Sequence, residues 1–131
     1  MNLKKFIFST FITFFFSTLL TTIWYSLSSE ANTVSFTRAT PNYGLLTTNH
    51  LLYAIGFVYL FPFYYNNFKT TKSAFLYGVI VASIMFIPTG LVVRAIWEVE
   101  FDMIFIINTF IHILIGGITG VITALIYNRN K

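Results

Sequence analysis

The sequence predicts an all-α membrane protein, with four transmembrane helices in an antiparallel bundle and both termini cytoplasmic. Three observations predict it. Of 131 residues, 56% are hydrophobic and only 9% charged, against roughly 25% charged in ordinary soluble domains. Four apolar stretches lie at 6–27, 45–65, 73–96 and 101–127. At a rise of about 1.5 Å per residue each can cross the roughly 30 Å hydrocarbon layer. Finally, the charges alternate with the stretches: Lys4, Lys5, Lys69, Lys72, Arg129 and Lys131 share one side, while Arg38, Arg94 and all four acidic residues fall on the other. Basic residues favour the cytoplasmic side, which makes both termini and the Lys69–Lys72 turn cytoplasmic. A bias of six basic residues against two also argues for one orientation rather than two.

The first stretch follows Lys4 and Lys5, as the apolar core of a signal peptide does, but 22 residues exceed the usual 7 to 15. Ser28-Ser29-Glu30-Ala31 is also a poor cleavage site. An uncleaved span is therefore expected. Thr10, Thr13, Ser17 and Thr21 recur at steps of three and four, opposite Phe8, Phe11, Phe15 and Leu19. Hydroxyls in spans bond to their own backbone or to a neighbouring helix, so this stripe should face protein. Trp24 and Tyr25 mark the interface.

Residues 28–44 form the one long connection, on the outer side, with Pro41, Asn42 and Gly44 as turn formers. Within it, residues 33–37 alternate as a short extended piece does. The second span places Asn49 and His50 just inside its start and Pro62 near its far end, where a bend is expected. Tyr64 and Tyr65 mark its exit into the basic turn. The third span has Ala74, Gly78 and Ala82 at four-residue spacing, then Pro88, where a kink is expected, and Arg94 near its end. Arg94 with Glu98 forms an i, i+4 pair. In the fourth span Asn108, His112, Gly116, Gly120 and Ala124 recur every fourth residue, one polar or small stripe on an otherwise greasy rod.

Spans three and four are joined by a short turn, so they are expected to be neighbours. Their small residues lie at matching depth: Ala74, Gly78 and Ala82 against Gly116, Gly120 and Ala124. Lipid tails give no hydrophobic drive for helix association, so close backbone approach is what makes such a contact favourable. A homodimer seam is the rival use of the same ladder, and Gly117, off the stripe, marks a second contact.

The composition excludes several functions. With no cysteine there is no disulfide, thiolate nucleophile or iron–sulfur ligation. The net charge of +4 has a topological origin, and no basic stripe with interleaved aromatics points to nucleic acid. There is no P-loop, HExxH or nucleophile elbow, so no enzyme is expected.

The candidate chemistry is an outer polar cluster of Asn49, His50, Arg94, Glu98, Asn108 and His112. Intramembrane polar residues are costly and mark functional sites. No Asp, Glu or Lys lies deep in a span, which leaves only histidine to titrate. His50 and His112 are the sole histidines and invite a bis-histidine haem. Their depths differ by about one helical turn, so no cofactor or metal is expected. The plainer reading is that each imidazole hydrogen-bonds across the bundle, to Asn49, Asn108 or a tyrosine.

Small multidrug exporters carry a glutamate in their first span, and fluoride channels a glycine-rich Arg motif there; neither occurs here. Over nearly its full length the chain resembles the small four-span inner-membrane proteins of bacteria. The resemblance rests on span order, the Asn49-His50 opening of span two and the glycine-rich last span ending in Ala124-Leu125-Ile126-Tyr127. It implies a fold and a bacterial inner-membrane location, and no activity. Three roles follow in order: an accessory or scaffolding subunit that packs on another membrane protein or on itself within the lipid bilayer; a small oligomeric channel or carrier using the polar cluster; and a haem-binding redox subunit.

Overall fold

The structure, a computed structural model, describes residues 3–28, 42–96 and 103–129. They form four helices: α1 (Leu3–Leu27), α2 (Tyr43–Phe68), α3 (Thr71–Ile96) and α4 (Met103–Arg129). Each is long and apolar enough to cross a membrane. α1, α2 and α3 begin two or three residues earlier than the apolar stretches; Asn42 caps and extends α2, and Thr70 with Ser73 does so for α3. The expected extended piece at 33–37, Glu98 and the first two residues of the 101–127 stretch lie outside the described residues, as does the side chain of Arg94.

The buried residues of α1 are Ser9, Thr10, Thr13, Ser17 and Thr21, every one a hydroxyl, whereas Phe8, Phe11, Phe15 and Leu19 are exposed. Polar inside and apolar outside is the reverse of a soluble helix, and it suits lipid, where backbone and hydroxyl groups must find partners in protein. Ser9, one step before Thr13, joins the stripe that the sequence began at Thr10. Across the seam Thr123 donates its hydroxyl proton to the Thr119 carbonyl at 2.8 Å. The 2.9 Å contact between Thr13 and Thr123 is therefore donated by Thr13. Among the described residues the buried hydroxyls of Ser9, Thr10, Thr18 and Thr119 find no partner, so polar capacity remains on the buried faces of α1 and α4.

The most extensive helix contact is α3 against α4, and it is made by the small residues. A Cβ at Gly78 would overlap the Gly116 carbonyl, and one at Gly120 the Ala74 carbonyl. One at Gly116 would sit 2.5 Å from the Ala82 Cβ. Ala74 and Ala82 are fully buried and Ala124 nearly so. Gly117 faces the Phe75 ring, and Gly90 makes room for Phe105. Paired numbers thus run in opposite senses, 74 with 120 and 90 with 105. The ladder is used within the chain.

α2 is held differently, by aromatic rings. Tyr53, Phe57, Phe61 and Tyr65 are buried with Tyr77 of α3, and Phe61 stacks edge-on against Tyr77 and Tyr127 at 5.2 and 5.6 Å. The Tyr77 hydroxyl donates to the Phe57 carbonyl, as a buried phenol needs. At the same end Asn128 donates to the Tyr65 hydroxyl at 2.8 Å, and Lys5 Nζ lies 3.9 Å over the Tyr127 ring, a cation–π contact.

The turn between α2 and α3 is tighter than expected, because both helices run into it. Lys69 caps α2 in the left-handed conformation, φ 49°, with its N–H on the Tyr65 carbonyl. Thr70 and Ser73 cap α3 reciprocally: each backbone N–H donates to the other's hydroxyl at 3.1 Å. Pro62 and Pro88 lie inside continuous helices. Pro88 leaves the Ile84 carbonyl without its intrahelical donor, and beside it Thr89 donates to the Met85 carbonyl at 2.6 Å.

Candidate functional site

A cavity of about 120 Å³ opens between all four helices. Its wall takes Ser17 and Thr21 from α1, Asn49, His50 and Tyr53 from α2, Met85, Phe86 and Thr89 from α3, and His112, Ile115 and Gly116 from α4. On each helix these residues lie within one turn, so every helix contributes a single face. Asn49 is exposed at the rim, His50 half-buried, and Ser17 buried near the mid-length of α1. The cavity thus runs from one end of the bundle toward its middle.

His112 is the most constrained wall residue. Its Nδ1 lies 2.7 Å from the Asn108 carbonyl, one turn back on its own helix. A carbonyl can only accept, so Nδ1 carries a proton, and in the neutral ring this leaves the lone pair on Nε2. Phe86 and Tyr25 hold the ring from two sides, with centroids 4.5 and 5.6 Å away. Asn108 is itself fixed, since its Oδ1 accepts from Trp24 Nε1 at 2.8 Å.

The sequence-derived cluster is therefore divided. Asn49, His50 and His112 meet on one cavity. Asn108 does not line it; its side chain turns to α1, because the indole of Trp24 offers a donor at that depth. Arg94 belongs to α3, but its side chain lies outside the described residues, as does Glu98. The cross-bundle hydrogen bond expected of His112 is replaced by the bond to its own helix. His50 and His112 nevertheless reach the same cavity, from α2 and α4. Five wall residues went unread in the sequence, namely Tyr53, Met85, Phe86, Thr89 and Ile115, because apolar and hydroxyl residues in a span carry no distinguishing pattern.

The pocket is well under the roughly 300–1,000 Å³ that holds drug-sized ligands, and a haem needs that larger class, so haem does not fit. No group of three or more His, Cys, Asp or Glu capable of holding a metal occurs among the described residues. What the cavity can do is bind a small polar species through imidazole, amide and hydroxyl groups in a setting of low dielectric.

Four helices of this length and apolarity define a multi-pass membrane protein. No family model, curated protein or solved structure matches the chain.

Proposed function

We propose that the chain is a small non-catalytic protein of the cell membrane, an antiparallel four-helix bundle with cytoplasmic termini, which binds a small polar solute or cation in a pocket facing outward. The charge bias supports the orientation, and the opposed numbering of the α3–α4 and α1–α4 contacts supports the antiparallel packing. The resemblance to small bacterial inner-membrane proteins supports the location. One observation carries the functional reading: all four helices converge polar side chains on one cavity, including both histidines of the chain. Buried polar groups in a membrane are expensive, and a binding site is what makes such a cluster worth its cost.

The absence of native cysteine makes the test clean. Ser17→Cys places a thiol on the buried wall of the cavity. If the pocket is wet and open to the outside, a small membrane-impermeant thiol reagent modifies it in intact cells. A thiol that reacts only after denaturation contradicts the reading.

A second reading, an accessory subunit that packs on another membrane protein, is favoured by Gly56. A Cβ there would meet nothing within 4 Å, and Leu52, Tyr59, Leu60 and Phe63 around it are exposed. It gains if a single membrane protein co-purifies in mild detergent and Gly56→Ile abolishes the association.

A further inference from the structure

Accepting the pocket as a binding site, we infer that its ligand is a soft monovalent metal cation, Cu(I) in biological terms, held by the imidazoles of His50 and His112 with the thioether of Met85. All three residues line the same cavity, from α2, α4 and α3 in turn. Thioether sulfur selects Cu(I), and imidazole is compatible with it.

Two further features point the same way. First, His112 is arranged as metal-bound histidines usually are: one ring nitrogen donates to a backbone carbonyl, which fixes the tautomer and leaves the other nitrogen as the ligand. The rings of Phe86 and Tyr25 limit its rotation, and the Trp24–Asn108 bond steadies the residue whose carbonyl it uses. Second, no wall residue carries a fixed charge; no carboxylate or thiolate lines the cavity. The cost of desolvating an ion rises with the square of its charge, so a divalent ion entering this site incurs about four times the penalty of a monovalent one, without an anion to offset it. Zn(II) and Ni(II) are disfavoured on that ground, although imidazole suits them. Na⁺ and K⁺ are disfavoured because nitrogen and sulfur replace the oxygen ligands that hard cations take.

The test uses the full chain purified in mild detergent under anaerobic, reducing conditions, with Cu(I) supplied as its complex with a chromophoric chelator. The expected result is one Cu(I) retained per chain. His50→Gln, His112→Gln and Met85→Leu should each weaken retention at least tenfold, and Met103→Leu, outside the cavity, should leave it unchanged. Elution volume and helical circular dichroism check that each variant is folded. If His112→Gln fails to fold, Met85→Leu still decides, since Met85 is partly exposed and its replacement is conservative. Retention no greater than that of a His50→Gln/His112→Gln double variant overturns the inference, and so does displacement of Cu(I) by equimolar Zn(II). If Ser17→Cys is modified from outside while Cu(I) is not retained, the metal assignment falls and the pocket stands. An unreactive Ser17→Cys removes both.

Discussion

Gly78 and Gly56 lie on membrane-spanning helices of similar composition, yet a methyl group has opposite consequences at the two. At Gly78 it would run into the Gly116 backbone, which cannot move without parting α3 from α4; at Gly56 it meets open space. Gly78→Ala is therefore expected to destabilise the bundle by about 1–3 kcal/mol, the usual cost of overpacking, and Gly56→Ala to stay within about 0.5 kcal/mol. Unfolding by SDS titration in mild detergent measures both. Equal effects would mean that the ladder is not the contact that holds α3 to α4. The ladder was legible in the sequence because small residues at four-residue spacing and matched depth have few other uses in lipid. The fate of Asn108 was not legible, because its partner Trp24 lies 84 residues away on another helix.

Both ends of α2 and the start of α3 are set by local devices, and these explain where the apolar stretches and those helices differ. Asn42 caps α2 by accepting from the Leu45 N–H at 3.1 Å, which brings residues 43 and 44 into the helix. Lys69 ends α2 in a left-handed conformation that costs a residue with a Cβ roughly 1–2 kcal/mol. Lys69→Gly should accordingly raise stability by up to about 1 kcal/mol in the same SDS titration, and Lys69→Val should lower it. No change with glycine would show that the turn relaxes freely. Hydropathy alone cannot show these capping effects, since it records how greasy a segment is and not which backbone N–H or carbonyl is satisfied. The hydroxyl stripe of α1 was readable for the opposite reason: its period of about four coincides with the face it buries.

Across the whole molecule the two ends differ in character. One gathers Lys5, Tyr65, Tyr77, Tyr127 and Asn128 in a closed aromatic cluster; the other holds His50, His112, Trp24 and the cavity. The charge bias supports the proposed orientation, in which the closed end is cytoplasmic and the cavity faces outward. Polar residues in spans flagged Asn49, His50 and His112 from the sequence, but convergence on one cavity depends on how four rods rotate about their axes. Side-chain packing sets that rotation, and no single span encodes it. The most direct test of this orientation is thiol labelling of single-cysteine variants in intact cells with a membrane-impermeant reagent. Tyr43→Cys, exposed at the start of α2, should label from outside, and Lys72→Cys should label only after the membrane is permeabilised. Labelling of Lys72→Cys in intact cells, alone or together with Tyr43→Cys, would contradict it.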